Sequence, residues 1–118
     1  NERYLYLGDN KNAPYGNRTK TDLTSITFKN IDIINRYKIK ALVIGCNTIS
    51  TTILDCVSKY AGVPTFGVFP PVESTLIKYD KVLLLATNKT AERYQGVKNL
   101  TAIGLPSLAK DIEKESSH

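Results

Sequence analysis

The sequence predicts an α/β fold with a mostly parallel sheet and flanking helices. Three observations carry this prediction. Apolar runs of strand length, at residues 41–45 (Ala-Leu-Val-Ile-Gly) and 82–86 (Val-Leu-Leu-Leu-Ala), alternate with segments whose apolar residues recur at helical spacing. The alternation repeats at roughly 15–25 residues, as strand–helix–strand units do. Turn-forming Gly, Pro and Asn fall between the segments.

Taken in order, residues 3–7 (Arg-Tyr-Leu-Tyr-Leu) form a short β-prone run stopped by Gly8, Asp9 and Asn10, and a loop with Pro14 and Gly16 follows. Over residues 18–37, Leu23, Ile26, Ile33 and Tyr37 fall roughly on one helical face, which Ile31 and Ile34 broaden. The continuous run at 41–45 is expected to be a strand buried on both sides. After it, Ile49, Thr52, Ile53, Cys56, Val57 and Tyr60 make one helical stripe, ended by Gly62 and Pro64. Residues 65–69 read as the next strand, closed by Pro70 and Pro71, and a short helix covers 72–78. A strand at 82–86, a helix at 89–95 and a weaker strand at 100–103 come next. Pro106 opens a last helix ending near Glu115. Turn formers and charges cluster over residues 70–80, so residues 1–74 are assigned to a first α/β domain and 75–118 to the start of a second.

Composition narrows the function. Of 118 residues, 42% are hydrophobic, enough for a packed core, and no apolar run approaches the ~20 residues of a membrane span. A soluble, cytoplasmic chain with no membrane partner is expected. The net charge of +5 could suit nucleic acid, but the basic residues (Lys11, Arg18, Lys20, Lys29, Arg36, Lys38, Lys40) are scattered singly. Two cysteines and one histidine, His118, give no zinc-finger spacing. Neither nucleic acid nor a metal is expected. The sequence holds no methionine and opens on Asn1, so it is not expected to start where its gene starts.

The chemistry concentrates at residues 44–48 (Ile-Gly-Cys-Asn-Thr). Reactive groups in α/β sheets gather where a strand's carboxyl end meets a helix. Gly45 lets the backbone turn, Cys46 lies just past the strand, and Asn47 or Thr48 is suited to cap the helix that follows. The positive end of a helix dipole favours thiolate there, the form that acts as a base, and the free N–H groups suit a substrate carboxylate. On position alone, Cys46 as a packed turn residue is an equal alternative. Cys56 reads as core, because it lies within the apolar stripe. A bridge between the two is ruled out: the intervening helix separates them by more than ~10 Å, against ~5.5 Å between bridged Cα atoms. Asp9, Pro14, Tyr15 and Gly16 offer a second surface, a weak signal by itself.

Together these pieces resemble glutamate racemase, of the aspartate/glutamate racemase superfamily. The resemblance rests on Tyr6-Leu-Gly-Asp9, Pro14-Tyr15-Gly16, Ala41-Leu-Val-Ile-Gly-Cys46-Asn47-Thr48, Val63-Pro64 before Thr65-Phe-Gly-Val68, and Ala86-Thr87-Asn88-Lys89-Thr90, in the family's order and spacing. It implies a partial two-domain racemase fold and a reaction without pyridoxal phosphate or metal. Two cysteines on opposite sides of the glutamate Cα exchange its proton, supplying D-glutamate for cell-wall peptidoglycan precursors. By position, Cys46 is one of the two acid/base thiols. Tyr15, Gly16, Asn47 and Thr48 hold the substrate's charged groups, and Thr87 and Thr90 line the pocket from the second domain. Glu113 matches a glutamate near the active site. A homodimer stays open.

The family's opening Asp-Ser-Gly segment and its Cys-Thr-His motif, which carries the second thiol, have no counterpart here. Neither Cys56 nor His118 takes the motif's place, Ala86 stands for a glycine, and Pro70-Pro71-Val72 for Glu-Pro-Gly. The chain is therefore expected to be truncated at both ends and to carry one thiol of the pair. The competing reading is a catalytically incomplete racemase-like module that binds an amino acid or a protein. A redox-sensing thiol would need a resolving partner that the sequence does not offer.

Overall fold

In the computed structural model, which describes residues 2–116, each helix begins and ends where local chemistry allows it. His118 lies outside the described residues. Thr19 caps helix α1 (Lys20–Asn35): its hydroxyl accepts the Asp22 N–H at 3.1 Å, and Asp22 adds acidic charge to the first turn. Strand β1 (Leu42–Ile44) leads into α2 (Asn47–Ala61), which stops at Gly62 in the left-handed conformation (φ 68°) that glycine adopts at least cost. Then follow β2 (Thr65–Gly67), α3 (Val72–Lys78), β3 (Val82–Ala86), α4 (Asn88–Arg93), β4 (Leu100–Gly104) and α5 (Leu108–Ser116).

Both strand pairings are parallel, in two separate two-stranded sheets. Leu42 and Ile44 register with Thr65 and Gly67 in one, and Val82 and Ala86 with Leu100 and Gly104 in the other. The core lies between α1, α2 and β1, where Leu23, Ile31, Leu42, Ile49, Ile53, Val57 and Ala61 pack together. Phe28 stacks on Tyr60 at 3.8 Å between ring centroids, and the Tyr60 hydroxyl donates to Asp32 at 2.8 Å. That polar tip keeps α1 and α2 aligned where their apolar faces run out.

Four expectations are corrected. Residues 3–7 form no strand; the backbone there has no ladder partner among the described residues, and Tyr4 and Tyr6 are 96% and 90% exposed. Strand β1 is covered on one face only: Leu42 is buried while Val43 is 68% exposed, because α1 and α2 pack on a single side. In α1 the buried positions are Leu23, Ile26, Thr27 and Ile31, so Ile33 and Tyr37 turn outward.

The fourth correction concerns α2. At Ile53 (φ −136°, ψ 15°) the helix kinks. Beyond the kink the buried stripe runs Ile53, Val57, Ala61, at i, i+4 and i+8, and Cys56 is exposed instead of core. The kink has an identifiable partner, since the Thr51 carbonyl accepts a hydrogen bond from the Arg93 guanidinium at 3.2 Å. With Ile49 before them, Ile53, Val57 and Ala61 make one row at i+4 spacing, narrower than the stripe the sequence predicts, and it leaves Cys56 outside.

Candidate active site

The thiol of interest sits at the β1–α2 junction. Cys46 is extended (φ −134°, ψ 116°), and its carbonyl accepts the Ser50 N–H at 3.0 Å, which makes it the residue that caps α2. Its side chain makes no capping bond, so the sulfur is not committed to the helix end. This corrects the expectation that Asn47 or Thr48 caps. Both are inside the helix already, as its first two residues, because the helical hydrogen bonding starts earlier than the apolar stripe does. Asn47 is exposed there, whereas Thr48 is buried. Cys46 is partly buried and packs against the core cluster, as Tyr15 does. A Cβ added at Gly45 would meet open space, so the thiol-bearing turn borders solvent.

Tyr15 is held by a polar cluster on the loop before α1. Its phenol donates to Asp9 at 2.5 Å, and Asp9 also accepts from the Asn12 side chain at 3.0 Å and the Asn30 side chain at 3.1 Å. With these donors, first among them the Tyr15 hydroxyl, the Asp9 carboxyl is lowered from 3.8 to about 2. Burial, the bond to Asp9 and the nearby negative charge of Asp9 push Tyr15 up from 10.0, opposed by Asn30. The phenol therefore stays a neutral donor at physiological pH. Arg18 closes the loop by donating to the Asn12 carbonyl at 2.7 and 2.9 Å and pairing with Asp22 at 2.7 Å.

Next to this loop, four threonines join two helix starts. Thr48 and Thr87 share a hydrogen bond at 2.9 Å, Thr51 and Thr90 one at 3.2 Å, and Thr87 donates to Thr90 at 3.3 Å. Gly16 lies against the same group: a Cβ there would stand 2.5 Å from Thr87 Cβ, closer than side chains tolerate. The structure thus brings Gly16, Thr48, Thr87 and Thr90 into contact and sets Tyr15 beside Cys46. Glu113, by contrast, is an exposed residue of α5. Asn17 adds a further tie, donating to the Pro106 carbonyl at 2.7 Å and accepting from Asn88 at 3.3 Å.

Asn30 and Thr51 are the participants that sequence reasoning did not assign to the site, and Asp9, read there only as part of a second surface, proves to be the acceptor that holds Tyr15. Two signals could have found them. Asn30 interrupts a helical face between Thr27 and Ile31, and the Thr-x-x-Thr pairs at 48–51 and 87–90 each stand at the start of a helix.

Depth does not mark this site. A concavity of about 230 Å³ lies at the α2 kink, lined by Lys20, Thr52, Asp55, Cys56, Phe69 and Arg93 among others, and one of about 500 Å³ lies at the β3–β4 edge. Neither includes Cys46. Chemistry outweighs depth here, since the thiol and the hydroxyl cluster gather instead at the open end of β1 and the start of α2. Among the described residues no group of three His, Cys, Asp or Glu is placed to hold a metal, and no helix is long and apolar enough to cross a membrane.

No family model matches the chain. It is 32% identical to a glutamate racemase of Clostridium novyi, over 97% of this chain and 49% of that one. Its fold matches the crystal structure of glutamate racemase from Campylobacter jejuni at a TM-score of 0.79 and 26% identity, covering 92% of this chain and 48% of the other. The glutamate racemase of Francisella tularensis, solved in complex with D-glutamate, shares the fold at a TM-score of 0.75 and 21% identity, over 94% of this chain and 46% of that one. The chain spans about half the length of the curated relatives it matches. This chain is a homologue of the glutamate racemases, matched over most of its own residues and about half of theirs.

Proposed function

We propose that this chain carries one side of a glutamate racemase reaction centre, with Cys46 as one of its two proton-transferring thiols. The observation that carries the reading is the convergence, in a racemase homologue, of Cys46 and Tyr15 with the Gly16–Thr48–Thr87–Thr90 cluster. Cys46, as thiolate, removes the proton from the glutamate Cα; its S–H bond forms as the Cα–H bond breaks, and the electron pair stays on the carbon. A second thiol, on the opposite face, returns a proton to that carbon, so configuration inverts and no redox partner is consumed. Backbone N–H groups at the start of α2 and the Asn47 and Thr48 side chains receive the substrate carboxylate. The neutral Tyr15 phenol and the Gly16 backbone border its other side. Residues 1–74 and 75–118 are read as parts of two domains that meet at the threonine cluster. Neither a metal nor an organic cofactor enters the proposed reaction, whose product would serve peptidoglycan precursor synthesis in the cytoplasm.

The test is deuterium incorporation at Cα of L- and D-glutamate in heavy water, for the protein carrying this sequence and its Cys46→Ala variant. The variant is expected to lose about 10²–10⁴-fold in the exchange that demands a base on its face. Equal exchange by both proteins removes Cys46 from the mechanism. One observation favours a second reading, a racemase-like binding module: Cys56, the other thiol of the sequence, lines a concavity that does not include Cys46. Calorimetric titration with both enantiomers separates the two, because binding without exchange belongs to the module alone.

A further inference from the structure

The α2 kink builds a second feature that the racemase reading does not use. Its concavity of about 230 Å³ is lined by the cations Lys20 and Arg93, by Ser50, Thr51 and Thr52, and by one acid, Asp55. The lining is thus net positive. Asp55 does not neutralise either cation, since the ion pairs among the described residues are Arg18–Asp22, Lys40–Glu2 and Lys89–Glu92. Arg93 uses one nitrogen on the Thr51 carbonyl and lies over the Phe69 ring at 5.5 Å, which fixes the plane of its fork. In the same wall the Thr52 hydroxyl oxygen is buried without a hydrogen-bond partner, and such groups are costly unless something satisfies them.

We propose that this concavity binds a small oxyanion, a phosphate or carboxylate group on a compact molecule. Arg93 and Lys20 supply the charge. A planar guanidinium with free N–H groups matches the paired oxygens of such a group, and the ammonium adds a point charge. The volume exceeds a bare phosphate and leaves space for a few further atoms. The site is separate from Cys46, so it stands whether or not the chain takes part in racemisation.

The experiment is NMR titration of the full chain with inorganic phosphate, with succinate and, as control, with chloride at matched ionic strength. Saturable shifts at the amides of Thr51, Thr52 and Cys56, with phosphate or with succinate and not with chloride, are the expected result. Whichever oxyanion saturates identifies the preferred group. Lys20→Gln should weaken that binding by about tenfold, and it leaves the Arg93–Thr51 bond in place. Arg93→Lys should weaken it further and alter the kink amides even before ligand is added. Shifts that never saturate, that chloride reproduces, or that Lys20→Gln leaves unchanged would overturn the proposal.

Discussion

The Asp9 carboxylate and the Tyr15 phenol form a pair whose titration is readable as stability. Asp9 is lowered in the fold from 3.8 to about 2, chiefly by the Tyr15 hydroxyl. A depressed carboxyl contributes stability that is full above its unfolded value and is lost as pH falls through the folded one. Urea midpoints measured from pH 5 to pH 2 should therefore drop below about pH 4 in the parent chain. In Asp9→Asn that segment of the profile should flatten; an unchanged profile would show that the loop holds Tyr15 by other means. Tyr15 carries the opposite sign. Its value is raised, so its contribution is present below the ordinary tyrosine range and is lost as pH climbs beyond it.

Between elements, hydroxyl pairs do the joining that apolar packing does elsewhere. Thr51 of α2 and Thr90 of α4 are buried and share one hydrogen bond, while Thr51 also donates to the Asn47 carbonyl at 2.7 Å. Thr90→Val should cost about 1–2 kcal/mol, the usual toll for a buried hydroxyl deprived of its partner. Thr51→Val should cost a similar amount. The double variant should fall short of the sum, because the shared bond can be lost only once. Denaturant unfolding of the four proteins completes the cycle, and strict additivity would mean that α2 and α4 are not coupled through this bond. A coupled result would also tie the Cys46 end of α2 to the Thr87 end of α4, since both threonine pairs lie on the same two helices.

At the scale of the whole molecule, both sheets present uncovered apolar faces. Val43 and Phe66 point outward from the first, and Leu83, Leu85 and Ile103 from the second, all more than two-fifths exposed. Parallel strands ordinarily have both faces covered, and contiguous apolar surface of this kind binds hydrophobic probes. The described chain should therefore enhance the fluorescence of an anilinonaphthalene sulfonate dye under native conditions. Leu83→Lys with Leu85→Lys should lower that signal without shifting the far-UV spectrum. Dye fluorescence at the level of an ordinary folded protein would contradict these faces as drawn.

Much of this protein is legible in the order of its residues. Helical spacing and turn formers located α1, α2, α3 and β3 closely, with α3 and β3 at the residues where they occur. Gly62 announced its own role, since only its conformational freedom ends α2 at that angle. The strand-to-helix turn that carries Cys46 was equally visible, because a continuous apolar run followed by glycine and a capping-competent segment has few other readings. Tertiary structure alone decided the rest. Residues 3–7 have strand chemistry and no partner strand among the described residues, and pairing is a property of two segments, not one. Cys56 lies outside the core because the buried row of α2 is the narrow one of Ile49, Ile53, Val57 and Ala61, and the Thr51 carbonyl beside the kink is met by Arg93, from a distant part of the chain. Thr48 met Thr87, and Gly16 met Thr87, across separations that no local period encodes. Local spacing specifies which face of an element is apolar, but only the folded chain specifies what that face, or the thiol at its edge, is brought against.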